Sequence, residues 1–190
     1  MQGQPPPTMD DPPTPEVAFD AAYRTSGTAL LGYALRRSTS REDALDVVAE
    51  TFAIAWRRRS DLPADPDEVR PWLFGIARRC LANSLRSASR AGRLGERLAS
   101  SMAGADVPDP AAVHENRMER RLVGEALELL SADDQELVTL IAWEGLSPAQ
   151  AATALGLSPG AARVRLHRAR TRLRAAMTTP AHVEETHRDH

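Results

Sequence analysis

Between Ser147 and Met177 the chain carries two Ser-Pro pairs, Ser147-Pro148 and Ser158-Pro159, with Gly156 just ahead of the second. A Ser before Pro is an N-cap followed by a residue whose missing N–H costs nothing in a first helical turn. Gly156-Leu157-Ser158 ends one helix and caps the next. The stretch is thereby confined to a short helix, a tight turn and a longer helix. At about 100° per residue, Ala162, Leu166, Ala169 and Leu173 share one narrow arc of the longer helix, which must be its buried face. Arg163, Val164, His167 and Arg168 lie opposite, flanked by Arg165, Arg170, Arg172 and Arg174. The stretch holds six arginines and no acid. A surface helix of a bundle normally mixes charge signs, and this one does not. A short helix, a Gly turn and a basic helix present a recognition helix to the DNA major groove. Arg can fork onto guanine there, and an exposed Val can meet a thymine methyl. The candidate DNA-reading residues are Ser158, Arg163, Val164, Arg165, His167, Arg168 and Arg170.

The formal net charge of -2 conceals a sorted distribution. Residues 71–99 hold six Arg and one Glu, residues 100–145 hold three Arg and ten acids, and residues 146–177 carry a charge of +6. Two basic segments separated by an acidic one point to two nucleic-acid contacts with a spacer between them. The chain has no Lys, a bias given little weight because genome composition alone can produce it. Cys80 is the only cysteine, so an intramolecular disulfide is excluded. No window approaches the run of about 18 apolar residues that a membrane-spanning helix needs, and no membrane insertion is expected. The protein is expected to be soluble and cytoplasmic. Sparse glycine away from boundaries and the lack of β-branched runs predict an all-α chain.

Residues 1–15 are Pro-rich and acidic and read as a disordered tail. Folding is expected to start near Glu16, with one or two helices to about Ser38 and a break around Gly27. Ser40 followed by Glu42 and Asp43 is a cap with first-turn acids. It opens a helix whose expected buried arc is Leu45, Val48, Phe52, Ala55 and Trp56. The outward arc becomes Asp46, Val47, Glu50, Ile54 and Arg57. Apolar residues rimmed by charge fit a protein-docking surface. The alternative, slightly favoured on these residues alone, has Val47 and Ile54 packing against a neighbouring helix of the same domain.

Residues 60–70, with two prolines and four acids, read as a loop. The helix that follows buries Leu73, Ile76, Ala77, Cys80, Leu81 and Ser84. Its other side carries Trp72, Arg79, Asn83, Arg86 and Arg90, with Arg78 at the edge. Such a stripe suits nucleic acid, with bases stacking and hydrogen bonding besides the phosphate contacts. Cys80, on the buried arc and without an activating base, reads as a core residue. Residues 91–115 read as a flexible linker. A second helical domain is expected over 116–177, with Leu122, Val123, Ala126, Leu127 and Leu130 as the apolar positions of its first helix and a Ser131 cap on its second. Residues 178–190 read as a disordered tail, where His182, His187 and His190 are too loosely set for a metal site.

Three stretches together resemble the sigma-70 family. Ala44–Trp56, ALDVVAETFAIAW, is similar to the region 2 signature, and Trp72–Arg86, WLFGIARRCLANSLR, resembles the helix that follows it. Ala126–Leu173 resembles region 4. The matches fall in order over residues 18–177, and regions 2 and 4 joined by a short linker are the layout of extracytoplasmic-function (ECF) sigma factors. The resemblance implies two small helical domains, region 2 over 16–90 and region 4 over 116–177. It implies docking of region 2 on the β′ clamp helices of core RNA polymerase, where Asp46, Val47 and Glu50 occupy signature positions. The outward arc 46–57 is thereby assigned to a partner surface, and Val47→Asp is expected to abolish core binding with the fold intact. The loop 60–70 and the helix 72–90 would meet the −10 element, where melting depends on capturing an unstacked base of the non-template strand. Region 4 would contact the β flap and place its recognition helix in the −35 major groove, with the linker running toward the RNA exit path.

The chain departs from the family pattern at Leu45, where an acid is common, and at Ala49, where Gln is usual. Arg79 and Asn83 replace the usual Asn and Asp. Gln150-Ala151 replaces Glu-Ile, and Ala161-Ala162 replaces Thr-Val. Promoter preferences therefore cannot be copied from relatives. The function implied is a sigma factor that recruits core polymerase to promoter DNA and opens it, restrained in trans by an anti-sigma factor, without catalysis or a cofactor. The alternative is a helix-turn-helix regulator that works without polymerase. No acid–base pair, phosphate-cradling Gly loop or metal-ligand spacing supports an enzyme.

Overall fold

The computed structural model describes the backbone over residues 13–99 and 117–178, and the side chains of 13–87 and 123–176. The backbone forms helices α1 (Pro15–Leu35), α2 (Arg41–Arg57), α3 (Pro66–Ala99), α4 (Arg117–Glu128), α5 (Ala132–Ala142), α6 (Pro148–Leu155) and α7 (Pro159–Thr178), with a 3-10 turn at Arg59–Asp61. The chain divides into two compact units, one built on α1–α3 and one on the C-terminal helices. The all-α expectation is met among the described residues. The tails at 1–12 and 179–190, with their three histidines, lie outside them, as do residues 100–115 of the expected linker and residue 116 of the expected second domain.

In the N-terminal unit α1 is a single helix, without the break expected at Gly27. Thr14 caps it by accepting from the Val17 N–H, and Pro15 takes the first helical position. Tyr33 and Phe74 are fully buried and meet edge to face with centroids 5.3 Å apart, the geometry ring quadrupoles favour. Ala44, Ala55 and Ala77 are also buried; with only a methyl each, they let the helix axes approach closely.

Ser40 caps α2 by accepting from the Asp43 N–H at 3.0 Å, and its hydroxyl donates to Asp43 Oδ2 at 2.7 Å. The buried face of α2 is turned from the one expected. It comprises Ala44, Val47, Thr51, Phe52 and Ala55. Leu45 and Trp56, expected inside, are 44% and 43% exposed, whereas Val47, expected outside, is 2% exposed. Ile54 is half-buried. The reason is that α2 packs against both α1 and α3. On one side Phe52 meets Phe19 at 6.3 Å and Tyr23 at 4.6 Å. On the other, Thr51 lies against Cys80 of α3, and its hydroxyl donates to the Val47 carbonyl at 2.6 Å. Burial pushes the Cys80 thiol above its ordinary range, as suits a core residue.

The 60–70 segment is a loop only in part. Asp65 Oδ1 accepts from the Asp67 N–H at 2.9 Å, Pro66 takes the first position of α3, and Asp67 and Glu68 occupy its first turn, where the helix dipole favours acids. Pro71 sits inside the helix, removing one interior hydrogen bond while its ring is fully buried. The arc Leu73, Ile76, Ala77, Cys80 and Leu81 is buried as expected, and Ser84 is half-buried. The helix continues to Ala99, so residues 91–99 are helical rather than linker.

In the C-terminal unit, Leu127, Leu130 and Ala169 form a core with Val138 and Leu173 packed against it. Ser131 caps α5 by accepting from the Asp134 N–H at 3.3 Å. Gly145 and Gly156, at φ of +67° and +66°, close α5 and α6 in the left-handed conformation that glycine adopts without strain.

Two outcomes follow from this packing. Val47→Asp places a carboxyl between α2 and its neighbours, at a cost on the order of 3–5 kcal/mol. Thermal melting by circular dichroism should show the N-terminal unit losing its cooperative transition, contrary to the silent change expected from sequence. Separately, the Arg59 guanidinium holds the Glu16 carboxyl, and the Ser40 and Thr39 hydroxyls hold that of Asp43, below the ordinary carboxylate range. Carboxyls depressed in the folded state contribute stability at neutral pH that is lost as pH falls through their folded values. The double variant Glu16→Gln, Asp43→Asn should therefore melt slightly earlier at neutral pH and show a shallower acid limb, read by the same melts at descending pH.

Candidate polymerase and nucleic-acid interfaces

The solvent face of α2 follows from what its neighbours cover. Leu45, Asp46, Ala49, Glu50, Ala53, Trp56 and Arg57 are exposed on consecutive turns. Asp46, Glu50 and Arg57 are exposed as expected, but Val47 is core. Leu45 and Trp56 are the large apolar side chains exposed on this face, and Ile54 sits half-buried at its edge. One side of Trp56 packs on Phe19, with centroids 5.1 Å apart. The Arg59 guanidinium stacks over the same ring at 4.5 Å while reaching Glu16 Oε1 at 2.8 Å. This Arg fixes an otherwise mobile indole at the surface and ties the turn after α2 to the start of α1.

On α3, Trp72, Arg79, Asn83 and Arg86 line one stripe, each at least partly exposed. Arg86 Nη2 donates to Asn83 Oδ1 at 2.6 Å, which leaves the Asn amide N–H groups pointed away from that bond. The guanidinium of Arg58, between α2 and the 3-10 turn, lies 5.8 Å from the Trp72 ring centroid. Arg78 is half-buried and, about 100° around the helix from Arg79, belongs to a different face. Arg90 falls on the helix, but its side chain lies outside those described.

The α6–α7 pair is built as its sequence dictates. The Ser147 N–H donates to Gln150 Oε1 at 2.9 Å and Ser147 Oγ accepts from the Gln150 N–H at 3.2 Å, a reciprocal capping box. Ser158 caps α7 by accepting from the Ala161 N–H at 3.2 Å, which makes its first role structural. Ala162, Leu166 and Ala169 are buried and Leu173 half-buried, as expected. Arg163, Val164, His167, Arg168 and Arg170 are exposed, Val164 at 51%. Arg165 is different. It lies on the flank facing α5, where Nη1 reaches Asp133 Oδ2 at 3.3 Å, and two turns on Arg172 Nη1 reaches Asp134 Oδ2 at 3.7 Å.

One feature escaped the sequence. Val123, Leu127, Val138, Ala142, Trp143 and Leu173 line a shallow apolar groove on the C-terminal unit. Trp143, 49% exposed at the end of α5, was its only visible sign, since each of the other residues reads as an ordinary core position. Among the described residues no cluster of His, Cys, Asp or Glu is arranged to hold a metal ion, and no helix is long and apolar enough to cross a membrane.

Comparison with known proteins agrees with this architecture. Residues 22–91 match the family model for sigma-70 region 2 and residues 120–173 that for sigma-70 region 4. The ECF RNA polymerase sigma factor SigL of Mycobacterium tuberculosis is 32% identical over 157 residues, covering 83% of this chain and 87% of the relative. The RNA polymerase sigma factor CnrH of Cupriavidus metallidurans is 34% identical over 172 residues, covering 84% and 86%. Among solved structures, CnrH in complex with the cytosolic domain of CnrY aligns with a TM-score of 0.56 at 28% identity, covering 84% of this chain and 86% of that one. RpoE of Bartonella quintana, in complex with the anti-sigma factor NepR, aligns with a TM-score of 0.59 at 26% identity, covering 85% and 98%. With both regions present, in order and on the helices that carry the exposed faces, the chain belongs to the ECF group of sigma-70 RNA polymerase sigma factors.

Proposed function

We propose that the two units divide the work of promoter recognition and opening between three exposed faces. The α2 face of Leu45, Asp46, Glu50, Trp56 and Arg57 docks on core polymerase at the β′ clamp helices. Its rim of charge gives register, and its two apolar side chains give the desolvated centre that carries affinity in such interfaces. The α3 stripe meets the non-template strand of the −10 element. Trp72 offers a stacking surface, Asn83 an amide with free donors, and Arg79 and Arg86 neutralise phosphate. Melting follows from mass action, since a stripe that holds unstacked bases but not the duplex draws the strands apart.

On α7, Arg163, Val164, His167 and Arg168 face the −35 major groove, with Arg170 on the flank toward the phosphates. The apolar groove beside Trp143 suits an apolar segment of the β flap. The relatives CnrH and RpoE form complexes with CnrY and NepR, which supports control of this chain by an anti-sigma partner in the same manner.

The observation that carries the reading is the coexistence of the α2 face with the α3 stripe. A regulator that binds duplex DNA without polymerase needs only α7, and would have no use for an exposed Leu and Trp set among acids on α2. The test is multi-round run-off transcription with purified core polymerase on a library of genomic fragments. Transcripts that depend on this chain and share upstream elements near −35 and −10 are expected. Specific duplex binding by the chain without transcripts from core would defeat the assignment.

Within that assay, Leu45→Asp with Asp46→Arg should lower core affinity at least about tenfold, the effect of losing roughly 1.4 kcal/mol, while the melting transition is retained. Arg168→Ala should reduce use of the preferred −35 sequence by about 1–3 kcal/mol if Arg168 reads a base. An equal loss on every sequence would make it a phosphate contact instead.

A further inference from the structure

Helix α7 has two basic flanks on either side of its exposed front. Arg170 lies on one, beside Arg163 of the front. Arg165 and Arg172, seven residues apart and therefore nearly in line, lie on the other, and both are met by acids of α5. Asp133 and Asp134 are neighbours at the first turn of that helix. One reaches Arg165 at 3.3 Å and the other reaches Arg172 at 3.7 Å. Asp134 is largely buried while its guanidinium partner is half exposed. The first-turn position stabilises both acids as anions through the helix dipole. Exposed pairs of this kind add little to folding stability, so stability alone does not account for two consecutive acids facing one flank of a DNA-reading helix.

We infer that Asp133 and Asp134 are specificity-determining residues: they hold Arg165 and Arg172 against α5 and withhold two cations from DNA phosphate. The inference rests on the reading of α7 as the −35 helix. Its physics is that of counterion release. An arginine that neutralises a phosphate releases condensed cations and strengthens binding to any sequence. An arginine already neutralised by a carboxylate brings no net charge. Were it to leave for the phosphate, a bare carboxylate would remain close to the DNA. The paired flank therefore contributes almost nothing to sequence-independent affinity, and the balance shifts toward the base contacts of Arg163, Val164, His167 and Arg168. Arg165 is thus a positioning residue rather than a reader.

The test uses holoenzyme reconstituted from core and the full chain. Binding is measured over a salt series to a promoter duplex obtained by run-off selection, and to the same duplex with its −35 element scrambled. The core contribution is common to all variants and cancels. The double variant Asp133→Asn, Asp134→Asn should bind the scrambled duplex more tightly. Its slope of log affinity against log salt should steepen by about one to two, as expected for one or two freed arginines. Its preference for the intact promoter should fall, with the cooperative melting transition retained and only slightly lowered by the loss of two first-turn acids. Removing both halves of each pair (Asp133→Asn, Asp134→Asn, Arg165→Gln and Arg172→Gln together) should leave binding to both duplexes near the parent value, because two neutral pairs give way to neutral side chains.

Two results overturn the inference: an unchanged slope in the acid variant, or a loss of both bindings together with loss of the cooperative melting transition. Arg168→Ala separates the two levels of the argument. If it loses −35 preference while the acid variant is silent, the −35 reading stands and the brake does not. If Arg163→Ala, His167→Ala and Arg168→Ala all keep full −35 preference, α7 is not the −35 reader and the inference falls with that reading.

Discussion

Helix α2 is packed on two sides, and that constraint decides what the rest of the N-terminal unit can present to a partner. Ala44 and Ala55 are fully buried, so α2 cannot roll about its axis without driving a larger side chain into a gap sized for a methyl. Phe52 on one side and Thr51 on the other are held by contacts to different helices. What remains is a strip from Leu45 to Arg57, fixed in direction by the packing beneath it. The side that meets α1 and α3 serves the fold, and the opposite side is available for a partner.

This explains where the sequence could be read and where it could not. Caps were legible because each rests on local chemistry: Ser40, Ser131, Ser147 and Ser158 accept the N–H bonds their positions predict. The buried arcs of α3 and α7 were legible because the residues opposite them are charged, leaving one apolar stripe each. On α2 the apolar residues go nearly all the way around, and periodicity alone cannot choose between a stripe through Leu45 and Trp56 and one through Ala44 and Val47. The decision lies in tertiary contacts with α1 and α3, which no window of α2 contains. The plainer alternative, that Val47 packs inside its own domain, was the correct one. The same limit hid the C-terminal groove, whose lining is spread over α4, α5 and α7.

The Pro66 error has a different origin. Two prolines three residues apart look like a loop, yet Pro is at ease in a first helical turn, and Asp65 supplies the cap that Pro66 follows. Starting α3 there adds more than a turn of helix ahead of Trp72. The indole is therefore fixed by a helix on both sides instead of hanging from a loop end, and Arg58 approaches it from the preceding turn. A stacking residue on a preformed helix loses less conformational freedom on binding than one on a loop, which favours the role proposed for Trp72.

Charge shows the same separation between composition and structure. From the sequence, α7 is a helix of six arginines without a compensating acid nearby, and its formal charge overstates what DNA would encounter. Two of those arginines are met by carboxylates thirty-odd residues earlier in the chain, at positions a linear reading assigns to an acidic spacer. The segment that separates the two basic regions in sequence folds back to neutralise part of one of them. The acidic and basic blocks are thus partners in one device, in which packing of α5 on α7 sets how many cations reach the groove.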